Sequence, residues 1–450
     1  MASAYLSRTN GTSTLQTKFT FSAWVKRTGV SSSGDKVLMG EYTDSNNRMK
    51  IQFKDDDFFE VYQVDGGNVS TQIKTNRKFR DTSAWYHIVV AQDSAQSTSS
   101  DRLKIYVNGV QETSFSISTY PSNSTIPSIN ENSKTITVGN DDNGGSYFDG
   151  VMAHVNFIDG LQLTPTTFGE TDATTGIWKP KTAPSVTYGT NGFFLKFDNS
   201  ANMGLDSAGS NNLTTSGTII QTKDTPSNVF AKINLLDNYY NGQASGSLSV
   251  INTKIQTAGS GTETYTLSTL GASKGKYYCE MKLVSSTAAH QTRFGIAYES
   301  SNGTADWLGK RAVGWSLRQD GTPTNNNSTI SGTFASYTAG DIVSMAVDLD
   351  NSKLYFRKNN DAWMNSGDPT SGSTGTGAIS ITAGETYLIG IGDETGGYSV
   401  CELNFGDGYF GTTAVASAEN PDDGIGIFEY DVPAGYRALC TKSLNAQEYS

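Results

Sequence analysis

The chain is 450 residues long, enough for two or three domains with cores of their own. Its formal net charge is −11 and only 17% of its residues are charged, which argues against nucleic acid as a partner. Three cysteines are too few for a disulfide framework, and no apolar stretch approaches membrane-spanning length, so no membrane insertion is expected.

Strand signals begin early. The opening MASAYLSRTNGTSTLQTKFTFSAWVKR has no apolar core of signal-peptide length, which predicts a protein made in the cytoplasm and released by lysis or assembly. KFTFSAWVKR (Lys18–Arg27) reads as a strong strand, and Val37–Gly40 and Met49–Phe53 continue a meander. A hairpin over Trp85–Val110 follows, then strands at Thr135–Gly139, Phe148–Phe157 and Phe193–Phe197. These elements define a first unit, residues 1–200.

Residues 201–240 read as a connector. NSANMGLDSAGSNNLTTSGT is polar and Gly-rich, and Val229, Phe230, Ile233 and Leu235 then predict packing. Residues 241–450 form a second unit, with strands at Lys276–Leu283, Arg293–Tyr298, Val313–Arg318, Ile342–Leu349, Lys353–Lys358, Tyr387–Gly392 and Ser399–Phe405. The tail PAGYRALCTKSLN is apolar enough to dock on a sheet. No amphipathic helix longer than about ten residues is expected. The fold class is therefore all-β: two tandem antiparallel β-sandwiches (jelly rolls) with a packed connector.

Two stretches share one design. WYHIVVAQDSAQSTSSDRLKIYVNG (Trp85–Gly109) and DIVSMAVDLDNSKLYFRKNNDAW (Asp341–Trp363) each hold an alternating strand, an Asp, a polar turn, a second alternating strand and an Asn-containing end. Val343, Met345, Val347 and Leu349 share one face, and Leu354 and Phe356 continue it. Ile88 and Val90 share theirs with Leu103, Ile105 and Val107. Cys279 and Cys401 alternate in phase with apolar neighbours, which predicts buried free thiols.

These residues carry family resemblances. FSAW (Phe21–Trp24), WYHIVV (Trp85–Val90), KIYVNG (Lys104–Gly109) and YFDGVMAHVNFID (Tyr147–Asp159) resemble the concanavalin A-like, LamG-type jelly roll. KYYCE (Lys276–Glu280), RFGIA (Arg293–Ala297), GWSLRQDG (Gly314–Gly321), GDIVSMAVDLDNSKLYFRKN (Gly340–Asn359) and VCELNF (Val400–Phe405) resemble the SPRY domain. Together with YLSRT near the start, GIWKPK (Gly176–Lys181), YGTNGFF (Tyr188–Phe194), DTPSN (Asp224–Asn228) and PAGYRALCTKSLN (Pro433–Asn445), the motif order is similar to lectin-like virion proteins of tailed bacteriophages. That resemblance implies a homo-oligomeric protein on the virion surface, in contact with other capsid or tail proteins. Its expected work is adhesion to host-surface glycans or decoration of the particle. The alternatives are a virion-associated glycan-degrading enzyme and a structural cement without a ligand.

The first resemblance raises the question of catalysis, because laminarinase-type members of the fold carry a Glu-x-Asp-x-x-Glu strand whose carboxylates act as nucleophile and acid. The nearest segment here is KDDDFFE (Lys54–Glu60). It lacks the leading Glu, and its spacing places Asp57 and Glu60 on opposite faces of a strand, so the three acids read as a solvated turn. His87, His154 and His290 have no metal-spaced or catalytic neighbours in sequence, and no enzyme is expected. The LamG resemblance also implies a Ca²⁺ at the sandwich rim. NDDNGGSYFD (Asn140–Asp149) is the one turn rich in oxygen ligands, with Asp141, Asp142 and Asp149 as candidates. The same turn reads first as an ordinary Asx- and Gly-rich hairpin. Tyr239, Tyr240 and Tyr337 lie in predicted loops, where they could stack on sugars or bury in an interface. The SPRY resemblance places partner binding in loops near Glu299–Trp307, Gln319–Ser328 and Asn360–Gly375.

Overall fold

The computed structural model describes residues 4–30, 34–141, 143–173, 176–234, 236–237, 247–249, 253–257, 263–287, 292–303, 305–394 and 398–448. The chain divides into two compact units, Met1–Gln221 and Thr222–Ser450.

In chain order the strands of the first unit are β1 (Tyr5–Thr9), β2 (Lys18–Arg27), β3 (Lys36–Asp44), β4 (Asn47–Phe53), β5 (Phe58–Asp65), β6 (Asn68–Lys78), β7 (Tyr86–Asp93), β8 (Leu103–Val107), β9 (Val110–Gln111), β10 (Phe115–Thr119), β11 (Thr135–Val138), β12 (Gly150–Asp159), β13 (Gly169–Thr171), β14 (Trp178–Pro180), β15 (Phe193–Leu195) and β16 (Thr214–Ser216). One sheet runs β10-β6-β5-β4-β3-β11-β1-β16 and faces a second, β15-β12-β2-β7-β8-β9. Between them lies a core that includes Phe21, Val25, Ile51, Phe53, Val61, Ile88, Val90, Ile105 and Phe157.

The second unit repeats this architecture with β17 (Ser247–Ser249), β18 (Lys254–Gln256), β19 (Tyr265–Ala272), β20 (Lys276–Ser286), β21 (Thr292–Ala297), β22 (Gly314–Arg318), β23 (Pro323–Asn325), β24 (Ser328–Thr329), β25 (Ile342–Asp348), β26 (Lys353–Lys358), β27 (Ile379–Ser380), β28 (Tyr387–Asp393) and β29 (Ser399–Asn404). One sheet orders β17-β18-β29-β20-β25-β26-β27 and the other β19-β28-β21-β22-β23-β24. Cys279, Met281, Leu283, Phe294, Ile296, Met345, Phe356, Cys401 and Leu403 belong to the core. All three cysteines are buried and free, which strand phase predicts for Cys279 and Cys401.

Helix is scarce: one turn at Ser99–Arg102 and an eight-residue helix at Thr441–Glu448. The tail docks as expected, with Arg437–Ala438 pairing parallel to β20.

The boundary differs from the sequence reading. Residues 201–221 are part of the first unit: β16 pairs with β1, Leu213 joins the core, and the Asp206 carboxylate accepts N–H bonds from Phe194, Ala208 and Asn211. Residues from Thr222 belong to the second unit, where Phe230 is buried, Ala231 N–H donates to Leu439 O, and Lys232 is ion-paired with Asp407. The polar 201–221 stretch looks like a linker in sequence because hydrogen bonds, more than apolar burial, hold it down. Leu235 lies outside the described residues. The sequence reading also passed over the β5–β6 hairpin, although FEVYQV alternates and a Gly66-Gly67 turn follows.

The two echoed hairpins prove to be one device used twice. In the first, Lys18 of β2 stands opposite Asp93 at the end of β7 and pairs with it at 3.0 Å. Asp93 also accepts from Ala95 N–H and Gln96 Nε2, starting the turn. In the second, Lys276 of β20 stands opposite Asp348 of β25 at 3.1 Å, and Asp348 accepts from the backbone and side chain of Asn351. The far ends match as well. Asn108 and Asn359 both sit at φ 49°. Asn108 gives its N–H to His87 O and takes His87 N–H on its side-chain oxygen at 2.7 Å. Asn359 does the same with Ile342, at 2.9 Å to the side chain. Asn tolerates the left-handed region, and its amide closes the last rung of the ladder.

Replacing Asn108 or Asn359 by Ala removes one hydrogen bond and places at positive φ a residue that tolerates it less well than Asn, an expected loss of about 2 kcal/mol. Asn→Gly at the same position relieves the backbone and costs about half as much. Urea unfolding of both variants beside the wild type tests this ordering.

Candidate binding surface

A sheet in a sandwich has an inner face in the core and an outer face that must be covered or made polar. Three of the four outer faces are covered by their own unit. Val89, Tyr106 and Ile158 on the β2–β7–β8 sheet lie under Leu163, Phe168, Val186 and Tyr188. Tyr278, Ala346 and Tyr355 lie under Phe230, Phe428, Val432 and Tyr436. Leu308 packs on Tyr265, Leu267 and Ala297. Among the described residues no such cluster lies on the outer face of the eight-stranded sheet of the first unit.

That face follows from strand alternation. Met49, Ile51, Phe53, Phe59, Val61 and Ile73 point into the core, so Arg48, Lys50, Gln52, Glu60, Tyr62, Gln72 and Lys74 point away from it. The registers align them into rows: Lys50 opposite Tyr62 opposite Gln72, and Gln52 opposite Glu60 opposite Lys74. The Glu60 carboxylate accepts one amide bond from Gln52 Nε2 and one from Gln72 Nε2, both 2.8 Å. Gln52 is 1% and Glu60 3% exposed, although nothing apolar covers them. Their longer neighbours flank them, and Gln52 Oε1 finds no protein donor.

Aromatic rings frame the rows. Arg48 stacks 5.6 Å over Tyr62, and Lys74 and Lys78 stand 4.9 and 4.8 Å over Phe58. At the far side Tyr5 and Tyr147 pack at 6.3 Å. Gly40 lets the Asn140–Asp141 backbone lie down on the sheet, since a Cβ there would meet Asn140 O at 3.1 Å and Asp141 Cα at 3.2 Å. Asp141 reaches Lys50 from that position, at 2.5 Å. The result is a row of planar hydrogen-bonding groups between aromatic rings, buried at Gln52 and Glu60 and half-buried at Tyr62 and Gln72, a chemistry suited to polar, hydroxyl-rich ligands at its half-buried members.

The acids of Lys54–Glu60 separate as their spacing predicts, with one correction. Asp55 is exposed, but Asp57 is fully buried and not part of a solvated turn. It sits at φ 70° between Arg27 (3.0 Å) and Arg80 (2.9 Å), with Arg27 over the Phe53 ring. Asp57 ties the interior together, while Glu60 faces out. The adjacent acids hid this because the two arginines are remote in sequence, Arg27 on β2 and Arg80 just after β6.

Of the calcium candidates, Asp141 is buried and ion-paired with Lys50, and its other oxygen accepts Asn143 N–H. Asp149 is exposed, and its backbone carbonyl accepts from Thr28. Asp142 lies outside the described residues. Among the described residues no three His, Cys, Asp or Glu side chains form a group able to hold a metal ion. No helix among them is long and apolar enough to cross a membrane.

His87 is buried between Trp24 and Trp178, whose rings stack on it at 4.8 and 5.9 Å. Trp178 Nε1–H donates to His87 Nδ1 at 3.0 Å. Indole is only a donor, so the imidazole proton sits on Nε2 and is given to Ser22 Oγ at 2.9 Å. A nucleophilic Ser would need the opposite polarity; this Ser–His pair is a staple for the covering segment. Burial pushes the imidazole pKa down to about 3. His154 sits at φ 49° in a bulge of β12, against Phe194. His290, Tyr239 and Tyr240 lie outside the described residues.

In the second unit Tyr337 is buried and donates to Thr292 O, so it is not a free loop ring. In the loop near Glu299–Trp307, Glu299, Ser300, Asn302 and Ala305 are exposed, whereas Trp307 lies buried under the Arg293 guanidinium at 3.7 Å, and Arg293 pairs with Glu394 at 2.6 Å. Gln319–Ser328 contributes β23, and Asn360–Gly375 is held partly by Trp363, which stacks on Arg357. Glu280 is fully buried and accepts from Glu429 and Tyr430 N–H, Tyr278 Oη and Asn404 Nδ2. Burial nevertheless pushes its carboxyl up to about 7, and that of Asp393, held by Thr257 Oγ1, up to about 8.

Residues 2–167 match the family described as the concanavalin A-like lectin/glucanases superfamily, so the first unit carries a concanavalin A-like domain. Among curated proteins none matches the chain. Solved structures similar to part of it include the SPRY domain of human HERC1, at 18% identity and TM-score 0.28, covering 34% of this chain and 87% of that one. The TRIM65 PSpry domain matches at 14% and 0.29, covering 39% of this chain and 91% of that one. Stonustoxin matches at 16% and 0.29, covering 39% of this chain and 27% of that one.

His87 in the first unit and the pair Glu280 and Asp393 in the second are expected to contribute pH dependence of opposite sense. His87 binds its proton less readily folded than unfolded, so it withdraws stability from the first unit as pH falls from the ordinary 6.5 towards about 3. Glu280 and Asp393 hold their protons more tightly folded than unfolded. They withdraw stability from the second unit as pH rises from the ordinary 4.5 and 3.8 to about 7 and about 8. Asp393→Asn should therefore raise the thermal midpoint at alkaline pH and bring no such gain in acid. Scanning calorimetry across pH reads the difference, and an equal shift at both ends would contradict the assignment.

Proposed function

We propose that this chain is a non-enzymatic surface protein of a bacteriophage virion, which binds host or environmental glycans through the uncovered face of its first sandwich. The observation that carries the binding role is that face: among the described residues it is the outer sheet surface left without an apolar cover by its own unit, and it presents half-buried Arg48, Tyr62 and Gln72 above the buried Gln52 and Glu60. The concanavalin A-like domain supports a carbohydrate-binding reading. The whole-chain order of motifs, from YLSRT to PAGYRALCTKSLN, supports the virion setting. Many copies on one particle, docked on capsid or tail proteins and on each other, would turn weak single-site binding into firm attachment.

A glycan-cleaving enzyme is the rival reading. It requires two carboxylates facing one another across a sugar. In the segment nearest to such a motif, Asp57 is committed to two arginines and Glu60 to two amides on the opposite side of the sheet.

Binding of the whole protein to a panel of immobilised glycans is expected, with no release of reducing sugar. Tyr62→Ala, on a half-buried outer-face ring, should weaken binding tenfold or more, about 1.4 kcal/mol, and leave the unfolding midpoint nearly unchanged. Reducing-sugar release that survives purification would reverse the conclusion.

A further inference from the structure

We propose that Lys232 and Asp407 become joined by an isopeptide bond, which the protein forms by itself once its second unit has folded. This covalent tie is independent of any glycan binding by the first unit.

The two residues meet in the interior of the second unit. The Lys232 side-chain nitrogen is in direct contact with the Asp407 carboxylate, and the two side chains are 2 and 4% exposed. Other pairs differ: Lys18, Lys50 and Lys276 keep 31, 14 and 23% of their side chains in solvent beside their acids. Strand alternation explains how this lysine comes to be buried. Ala231 and Ile233 enter the core between the sheets, so Lys232 turns with Phe230 towards the apolar layer that covers Tyr278 and Ala346. Its backbone is held on both sides. Ala231 N–H donates to Leu439 O at 2.9 Å, Lys232 N–H to Thr269 Oγ1 at 3.1 Å, and Thr269 N–H to Lys232 O at 2.7 Å.

Asp407 is fixed as firmly, just after β29. It lies between Gly406 at φ 117° and Gly408 at φ 81°, a turn that favours glycine at both places. Asn404 Oδ1 accepts both glycine N–H groups, at 2.9 and 3.2 Å. Apolar groups close over the turn: a Cβ on Gly406 would meet the Phe230 ring at 2.8 Å and the Ala438 methyl at 3.0 Å.

Two opposite charges are costly to hold in an apolar interior, and a proton passed from ammonium to carboxylate leaves a neutral amine touching a carboxylic acid. These are the reactants of an amide. The lone pair of Lys232 Nζ attacks Asp407 Cγ, and a C–N bond forms. The Cγ–Oδ2 bond then breaks, an amine proton passes to the departing oxygen, and one water leaves. The step needs no oxidant, reductant or cofactor. Thr222 Oγ1 donates to Asp407 Oδ1 at 3.0 Å, where negative charge collects in the tetrahedral intermediate. Asp224 N–H holds that hydroxyl at 3.1 Å. Fixing both reactants in contact supplies the proximity that an amine and an acid lack in water. The bond ties the segment that opens the second unit to the exit of β29, and such a closed ring restricts the unfolded chain. The three cysteines, all free, provide no tie of this kind.

Intact-mass spectrometry of the full chain in denaturant reads the bond directly. The wild type is expected to weigh one water less than its sequence, and peptide mapping is expected to find a branched peptide joining Lys232 to Asp407. Lys232→Arg, which keeps the charge without a nucleophilic amine, and Asp407→Ala should each show their full sequence mass. In freshly synthesised chain, Thr222→Val should slow the loss of water about a hundredfold. A wild type at its full sequence mass would overturn the proposal and leave an ion pair only; that measurement requires no variant to fold. Water loss that persists in either Lys232→Arg or Asp407→Ala, or that maps to other residues, would overturn it equally. An unchanged rate in Thr222→Val would overturn the role given to that hydroxyl.

Discussion

Each sandwich is organised around one fixed object: a long central strand to which a hairpin is pinned at both ends. At one end a lysine from the central strand meets the aspartate that begins the turn. At the other an asparagine at positive φ closes the final rung with both its backbone and its side chain. These contacts set register, and register in a sheet decides everything on its two faces, because a slip of one residue exchanges core for solvent. With β2–β7–β8 and β20–β25–β26 so fixed, the apolar residues of both hairpins enter their cores and the remaining strands can add at the sides.

The consequence for function is felt at the outer faces. A register that buries one side of every strand leaves a second side to be dealt with, and the chain does this in two ways. Three faces carry apolar residues and are covered by segments that have little regular structure of their own, held by aromatic and polar fasteners such as Trp178 on His87 and Glu280 on the backbone of Glu429 and Tyr430. The fourth carries paired charges and amides and is left open within its unit. A surface built this way is soluble and ordered without a cover, which suits a binding platform.

Much of the fold was legible in the residues. Lys18–Arg27 was recognised as a strand with the bounds it has in the structure, and the phases of Cys279 and Cys401 correctly marked them as buried. What escaped was held by partners remote in sequence. Asp57 reads as one of three solvated acids until Arg27 arrives from β2 and Arg80 from the segment after β6. Residues 201–221 read as a linker until β16 finds β1. Tyr337 reads as a loop ring until Thr292 O takes its hydroxyl. The binding face was missed for a related reason. Its residues lie on β4, β5 and β6, and the alternation of β5 and β6 was visible, but a polar row becomes a candidate site only when the other faces are known to be covered.

The amino-acid sequence by itself determined the class of the molecule: two antiparallel sandwiches, buried free thiols and an acidic exterior. Period-two alternation and turn chemistry are local properties that need no knowledge of the rest of the chain. Only the tertiary structure decided which acids are buried, where the units divide and which sheet face remains open. Those outcomes depend on contacts between segments scores of residues apart, such as Arg27 with Asp57 and Asp141 with Lys50. Local pattern carries no record of such pairings.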